Sequence, residues 1–214
     1  MLPHKRSFDT TKYTFAQSLA NIFDTTNLSD LKSDIELLKR ENDQSTKHHK
    51  LFYPWMETNE FMNIYKQFII EYIRPLYRSK IVVQKKPTFR ICYPNNIAVG
   101  EFHKDKWYRD EGWSNYVREL HFFLPFTDAF DTNTIWVESE EDKLDFAPMN
   151  CKYGEFIQWD GSNLRHGNKL NMTGKTRISI DFRVIKYQNY IPSECVSINS
   201  NKKFKIGEYY ELYA

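Results

Sequence analysis

Three residues whose side chains commonly bind metal ions stand at a suggestive spacing in this 214-residue sequence. His103 and Asp105 form an H-x-D phrase, and His166 follows sixty-one residues after the aspartate. Two neutral imidazoles and one carboxylate on one side of a metal ion leave its other positions open for reactants, which suits Fe(II). A histidine that stands alone is more often a hydrogen-bonded structural residue, so the metal hypothesis depends on all three residues together.

An R-x-S phrase, Arg177 and Ser179, follows eleven residues after the second histidine. Odd positions from Arg177 to Arg183 are polar and even positions from Ile178 to Val184 are apolar, which predicts a strand with two different faces. In an ordinary sandwich the polar face meets water, whereas in a barrel with an enzymatic cavity it lines that cavity. An inward-facing arginine beside a serine would bind a carboxylate with two hydrogen bonds, which predicts a socket for a dicarboxylic co-substrate.

The metal hypothesis requires strands that bring the ligands together. Residues two apart on a strand point to the same face, so His103 and Asp105 can reach one ion from the end of a strand, with Lys104 pointing away. His166 must then come from an opposite strand. Strands are predicted at residues 81–83, 88–93, 97–102, 116–126, 134–138, 155–159 and 176–186, with turns at 94–96, 131–133, 148–150 and 160–162. Many short strands favour an antiparallel sandwich or barrel of the jelly-roll kind.

Residues 1–80 are predicted to be helical, because apolar residues recur at helical spacing over 15–23, 28–38 and 58–74. Ser29 is the expected N-cap of the second helix. The third has one continuous apolar face, ends at Pro75, and is expected to cover the sheet. Residues 39–50 are predicted to form a solvated loop that contains His48 and His49.

Composition limits the function classes. Lys plus Arg (30) nearly balances Asp plus Glu (28), so no nucleic-acid partner is expected. The three scattered cysteines indicate a reduced, cytoplasmic compartment, and neither a signal peptide nor a membrane span is apparent. We expect a single domain, mainly β with α. It comprises a helical cover (1–80), a core (81–187), and a tail (188–214) packed on the body or on a second subunit as a homodimer.

The phrases His103-x-Asp105, His166 and Arg177-x-Ser179 resemble the signature of Fe(II)/2-oxoglutarate-dependent oxygenases. Residues 124–138, 154–160 and 164–168 resemble the phytanoyl-CoA hydroxylase-like branch, and the sequence is also similar to antibiotic-biosynthesis oxygenases of the streptomycin-cluster type. The resemblance runs from about residue 90 to 184, nearly half the chain. It implies a double-stranded β-helix (a jelly roll, cupin-like) that binds iron, 2-oxoglutarate and dioxygen. It further implies hydroxylation of a small-molecule C–H bond, with release of succinate and carbon dioxide.

The sequence departs from that branch at residues 138–141, which read Glu-Ser-Glu-Glu where the branch has Pro-Gly-Ser-His. The loop near the metal is therefore expected to differ, and the substrate class does not carry over. Halogenases of the family have a small residue at the position of Asp105, so halogenation is disfavoured. Desaturation and ring formation stay open.

Further residues are candidates for contact with the reactants. Asn133 and Tyr93 are candidates for holding 2-oxoglutarate. Glu101, Trp107, Asp181 and Arg183 are candidates for the substrate, although an internal salt bridge is the stronger expectation for the last two. His121 is expected to be an ordinary strand residue. The basic residues Lys104, Lys106 and Arg109 would either attract an anionic substrate or form a solvated rim.

Two other functions fit parts of this pattern. A cupin-like metalloenzyme would use the same ligands without 2-oxoglutarate, but it has no need for the Arg177–Ser179 socket. A non-catalytic jelly-roll binding module would keep the barrel, but an intact ligand set argues against it.

Overall fold

The computed structural model describes residues 3–35, 44–98, 101–108, 117–197 and 200–214. Over these residues the strands form two antiparallel sheets, one of seven strands and one of three. The strands are β1 His4–Ser7, β2 Ile81–Gln84, β3 Thr88–Cys92, β4 Leu120–Pro125, β5 Ile135–Val137, β6 Ala147–Pro148, β7 Glu155–Trp159, β8 His166–Asn168, β9 Arg177–Lys186 and β10 Tyr210–Tyr213.

Strand β9 is the centre of the larger sheet. Its ten residues pair with β2, β3 and β4, and the strand order is β1-β7-β4-β9-β2-β10 with β3 also on β9. The smaller sheet has the order β6-β5-β8. The alternation predicted for residues 176–186 therefore belongs to a central strand, whose two faces must both be covered.

In the part of the chain that the structure describes, three α-helices cover the apolar face of the larger sheet. They are α1 Phe15–Ile22, α2 Lys47–Met56 and α3 Asn59–Phe68, and α3 continues through a π-helical turn at Ile69–Ile73 and a 3₁₀ turn at Arg74–Leu76. Thr58 caps α3 by accepting a hydrogen bond from the Phe61 amide. The helix predicted at residues 58–74 is thus confirmed.

Aromatic side chains join these helices to the sheet. The ring of Tyr65 on α3 lies 5.5 Å from Phe182 on β9, edge to face, and Phe52 on α2 stacks on Phe89 of β3 at 4.1 Å. All five apolar side chains of β9 are inaccessible to solvent. Burial of side chains this large contributes roughly 1.5–3 kcal/mol each.

The second predicted helix, at residues 28–38, is wrong over its described part. Only a 3₁₀ turn forms, Leu28–Asp30, and its N-cap is Asn27, which accepts from the Ser29 amide. The carbonyls of Ser29 and Leu31 instead accept hydrogen bonds from the backbone and hydroxyl of Thr176, next to β9. A helix would need these carbonyls for its own ladder, so the tertiary contact excludes it.

The loop predicted at residues 39–50 is also wrong where the structure describes it, because α2 begins at Lys47. Thr46 caps this helix, and its hydroxyl accepts from the His49 amide. His48 and His49 are buried rather than solvated. The sequence signal for the helix start was Thr46, but the charged residues around it concealed the apolar face.

The strand predicted at 97–102 is absent from the described residues of that range, and His103 makes only an isolated bridge to His166. Beyond the core, β10 pairs with β2, and Phe204, Tyr209 and Tyr210 pack on Val82 and Ile185. The tail thus lies against the body. No helix among the described residues has the length and apolarity needed to span a membrane.

Candidate metal centre

A cavity lies between the two sheets, and side chains from both line it. The odd face of β9 forms one wall, as the alternation predicted for a barrel with an enzymatic cavity. The lining residues are Arg90, His103, Asp105, His121, Phe123, Ile135, Trp159, His166, Gly167, Asn168, Arg177, Ser179, Asp181 and Arg183.

His103 and His166 are held side by side by the main chain. The amide of His103 donates to the carbonyl of His166 at 2.8 Å, and the reciprocal bond is 2.9 Å. The imidazole centroids are 4.5 Å apart. His166 begins β8 of the smaller sheet, so it comes from an opposite strand as predicted.

The main chain also fixes the tautomer of each imidazole. Nδ1 of His103 lies 2.8 Å from the carbonyl of Glu101, and Nδ1 of His166 lies 3.0 Å from the carbonyl of Leu164. A carbonyl only accepts, so each Nδ1 carries the proton and each Nε2 presents its lone pair to the cavity. Burial lowers the pKa of His166 to about 3, despite the nearby Asp105, so this ring is neutral at pH 7.

Asp105 completes the set from the start of a 3₁₀ turn, Asp105–Tyr108, rather than from the strand end that was predicted. Its Oδ1 lies 3.4 Å from Nε2 of His103 and 3.6 Å from Nε2 of His166. Burial alone would raise the pKa of Asp105. The charge of Arg183, with contacts from His103 and His121, instead holds that pKa well below its usual range. The carboxylate is therefore ionised.

These three residues fit a metal ion of the Fe(II) kind. One ligand atom from each of His103, Asp105 and His166 lies within 4.8 Å of the others. Two imidazole nitrogens and one carboxylate oxygen form the two-histidine, one-carboxylate set that leaves coordination positions open. The backbone bridge and the fixed tautomers position this set before any ion binds.

An acidic loop, residues 138–142, holds the segments that carry His103 and His166 in place. Lys104 points away from the cavity, as predicted, and its ammonium binds Glu141 at 3.0 Å and Asp142 at 2.6 Å. Glu138 is buried and accepts from the backbone amide of Arg165 at 2.5 Å, next to His166. Two of the residues that depart from the phytanoyl-CoA hydroxylase-like pattern, Glu138 and Glu141, thus hold these segments.

Arg177 and Ser179 line the same cavity as the three ligands. Nη1 of Arg177 donates to the Ser179 hydroxyl at 2.8 Å, and Nε donates to the carbonyl of Asn133 at 3.0 Å. The guanidinium is almost fully buried and lies 5.8 Å from the centre of the Phe123 ring. The predicted anion socket and the predicted metal ligands therefore belong to one site.

No family model matches this sequence. The streptomycin biosynthesis protein StrG of Streptomyces griseus is 30% identical over 215 residues, which cover 95% of each chain. The chain belongs to the StrG family. Among solved structures, the non-heme alpha ketoglutarate dependent epimerase SnoN from nogalamycin biosynthesis has a TM-score of 0.50 at 9% identity, over 86% of this chain and 77% of SnoN. The corresponding carbocyclase SnoK has a TM-score of 0.47 at 8% identity, over 86% and 79% of the two chains.

In this StrG-family chain, two of the predicted co-substrate residues lie away from the cavity wall. The Asn133 side chain accepts from the Phe130 amide at 2.7 Å, and only its carbonyl reaches Arg177. The Tyr93 hydroxyl lies 2.5 Å from Nδ1 of His48, within the helix-covered side. Both side chains hold local structure where they stand.

The predicted substrate residues are also dispersed. The Glu101 side chain is exposed, and it is the main-chain carbonyl of Glu101 that contacts His103. Trp107 is 54% exposed, and the Arg165 guanidinium lies 5.7 Å from the centre of its ring. Lys104 and Lys106 both bind Glu141. Lys104 is buried and so does not form the solvated rim that was one expectation, whereas Lys106 stays partly exposed. Arg109 lies outside the described residues.

The internal salt bridge expected between Asp181 and Arg183 is wrong. Asp181 pairs with Arg90 at 3.3 Å, whereas Arg183 pairs with Asp105 at 2.6 Å. The physical reason is geometric. Side chains two residues apart on one strand point in the same direction and lie side by side, so each charged group meets a partner from another segment.

His121 is a cavity residue whose role the sequence did not reveal. It was expected to be an ordinary strand residue, yet its Nε2 lies 2.8 Å from Oδ2 of Asp105. The register of β4 places His121 opposite Arg183 of β9. A Cβ on Gly161 would lie only 2.9 Å from Cγ of His121, so glycine at this turn leaves room for the ring.

Proposed function

We propose that this StrG-family chain is an Fe(II)- and 2-oxoglutarate-dependent oxygenase that hydroxylates a C–H bond of a small molecule. One observation carries the proposal. The ligand atoms of His103, Asp105 and His166 converge within 4.8 Å on a cavity that the buried Arg177 and Ser179 also line. The two sheets that flank this cavity support a double-stranded β-helix as the fold.

Each residue then has a role that follows from its chemistry. His103, Asp105 and His166 hold the iron, which with dioxygen and 2-oxoglutarate supplies the oxidation of the C–H bond and releases succinate and carbon dioxide. Arg177 binds the far carboxylate of 2-oxoglutarate, because a guanidinium matches a carboxylate with two hydrogen bonds. Ser179 accepts from Arg177 and so fixes the direction in which the guanidinium faces.

The cavity walls exclude water and orient the reactants. Trp159 packs edge to face on His166, with 4.6 Å between ring centroids, and Phe123 lies beside Arg177. Apolar walls strengthen the interaction of Arg177 with an anion, because little water competes for either charge. The hard chemistry belongs to the metal and the co-substrate, and the protein positions them.

A small-molecule substrate fits the family. StrG is named as a streptomycin biosynthesis protein, which supports a role in making a small molecule rather than in modifying a macromolecule. The assignment to the phytanoyl-CoA hydroxylase-like branch rests on sequence phrases alone and stays a prediction. The carboxylate of Asp105 favours hydroxylation over halogenation.

Succinate formation tests the proposal. The wild-type protein is incubated anaerobically with Fe(II) and 2-oxoglutarate, then exposed to air with a panel of small molecules, and succinate is measured. We expect succinate from the wild type and from His4→Ala, which alters an exposed histidine, and none above background from His103→Ala.

The alternatives predict other outcomes of the same experiment. Metal binding without consumption of 2-oxoglutarate across the panel would favour a cupin-like metalloenzyme. Failure to bind any divalent metal ion would favour a binding module. Equal succinate from His103→Ala and the wild type would contradict the metal assignment.

A further inference from the structure

We propose that the C-terminal segment forms part of the support of the metal centre. Tyr209 holds Arg183, and Arg183 together with His121 holds Asp105 so that its Oδ1 faces the metal. These are positioning residues, because they act through Asp105. The inference rests on the metal centre of the proposed function, and nothing in the ligand set itself requires the tail.

Two side chains meet at one oxygen of Asp105. Nη2 of Arg183 lies 2.6 Å from Oδ2, and Nε2 of His121 lies 2.8 Å from the same oxygen. Nε of Arg183 also lies 3.2 Å from Nε2 of His121, so the two side chains and the carboxylate form one hydrogen-bonded cluster. The other oxygen, Oδ1, is the one that lies 3.4 and 3.6 Å from the two imidazole Nε2 atoms.

This division between the oxygens affects the metal directly. With Oδ2 engaged by Arg183 and His121, Asp105 would offer the ion one oxygen rather than two. One-oxygen binding leaves a coordination position that two-oxygen binding would fill. Partners that orient metal ligands in this way typically affect metal affinity by about 10–100-fold.

Arg183 is itself held from several directions. Nη1 donates to the Tyr209 hydroxyl at 2.9 Å and to Oε1 of Gln84 at 3.3 Å, and Nε lies 3.7 Å from Oε2 of Glu119. Its side chain is largely buried, so a shift of the guanidinium cannot be compensated by bulk water. The position of Asp105 therefore depends on the partners of Arg183.

The tail supplies two of the contacts in this network. Tyr209 binds Arg183, and the Tyr210 hydroxyl donates to Oε1 of Glu119 at 2.5 Å. Both tyrosines are buried, and β10, which starts at Tyr210, pairs with β2. The last residues of the chain thus reach a ligand more than a hundred positions earlier in sequence through one intervening arginine.

Anaerobic titration with Co(II) tests the proposal without turnover. Co(II) reports both affinity and ligand geometry, through its visible ligand-field bands. Variants are Tyr209→Phe, which removes one hydroxyl, Arg183→Met, which removes the guanidinium, and Arg183→Lys, which keeps the charge. Tyr213→Phe is the matched control, because this tail hydroxyl contacts Glu211 rather than the network.

We expect Arg183→Met to weaken Co(II) binding about 10–100-fold and to shift the bands, and Tyr209→Phe to do the same to a smaller extent. Arg183→Lys should restore part of the affinity, and Tyr213→Phe should match the wild type. Circular dichroism and thermal unfolding of the metal-free proteins check folding. Tyr209→Phe removes only one hydroxyl, so it still tests the proposal if Arg183→Met fails to fold.

Two results would overturn the inference, and they are distinguishable. Co(II) affinity and bands that stay as in the wild type in folded Tyr209→Phe and Arg183→Met would reject the support network while leaving the metal centre intact. A wild type that binds no Co(II), or that binds it equally well as His103→Ala, would reject the metal centre and the inference together.

Discussion

Strand β9 has two faces that do different things, and the difference explains how this molecule is organised. The even positions, Ile178, Ile180, Phe182 and Val184, pack under the helices and are inaccessible to solvent. The odd positions from Arg177 to Arg183 line the cavity and bind partners from distant segments: Arg177 reaches Asn133, Asp181 reaches Arg90, and Arg183 reaches Asp105. One face stabilises the fold and the other positions the chemistry.

The physical reason is the nature of the two kinds of contact. Apolar packing depends on shape and area and tolerates many neighbours, so the even face can be covered by any suitable helix. A buried polar group needs particular partners, since leaving it unsatisfied costs roughly 1–3 kcal/mol. The odd face therefore joins specific residues of loops, strands and the tail.

The largest effect should come from the even face. Phe182→Ala removes a ring that stacks on Phe122 at 5.2 Å and packs against Tyr65, so we expect a loss of about 3–5 kcal/mol in the free energy of unfolding. Urea denaturation measures this loss, with Phe182→Leu as the milder control. Co(II) affinity of the folded fraction should stay near that of the wild type. A large loss of metal affinity in a fully folded variant would contradict the separation of the faces.

The helix-covered side should also give a pH dependence. Burial lowers the pKa of His49 to about 4 from its ordinary value of 6.5, and among the described residues its Nε2 has no hydrogen-bond partner. The unfolded chain therefore takes up the proton first as the pH falls. The stabilisation that depends on neutral His49 is complete above pH 6.5 and is lost as the pH falls to 4. Between pH 7 and 4.5 the free energy of unfolding should therefore fall by about 2 kcal/mol because of this group.

Urea denaturation of the wild type and His49→Gln at the two pH values isolates this contribution. The variant should be less stable than the wild type at pH 7, and the difference should shrink by about 2 kcal/mol at pH 4.5. Other groups titrate in both proteins and cancel in the difference. A deficit that is the same at both pH values would show that His49 does not stay neutral in the folded protein.

A substitution on the odd face should weaken co-substrate binding, with a smaller change in free energy than Phe182→Ala causes on the even face. Arg177→Met keeps the apolar stem and removes the charge, so we expect about tenfold weaker 2-oxoglutarate binding, or about 1.4 kcal/mol. The loss of stability should be smaller than in Phe182→Ala, because it comes from the hydrogen bonds that Arg177 donates to Asn133 and Ser179. Isothermal titration of the anaerobic metal-loaded protein measures the affinity. Lys175→Met, which removes an exposed cation two residues earlier, is the control. Unchanged co-substrate affinity would reject the socket.

The sequence predicted correctly the strand and the helix whose patterns lie within a single segment. The alternation of β9 and the apolar stripe of α3 are each read from one segment, and both formed as expected. His103, Asp105 and His166 were also brought together, although Asp105 lies on a 3₁₀ turn. Their side-chain chemistry and spacing were enough to suggest the site, even where the element around them was misassigned.

The remaining errors come from contacts between segments. The stripe at residues 28–38 looked helical, but Thr176 takes the carbonyls of Ser29 and Leu31. His121 was taken as an ordinary strand residue, because the register that sets it opposite Arg183 is a property of two strands and not of either one. A single sequence carries no direct signal for such a register.

The anchoring of the two imidazoles by main-chain carbonyls has a consequence for sequence divergence. The proton positions on His103 and His166 depend on the carbonyls at 101 and 164, which every amino acid possesses. Replacement of the exposed Glu101 side chain would leave the metal-facing nitrogen of His103 unchanged, and at Leu164 only packing limits the choice. Tautomer control here is independent of side-chain identity, so the positions beside the ligands can change and alter the mouth of the cavity without altering the metal ligands.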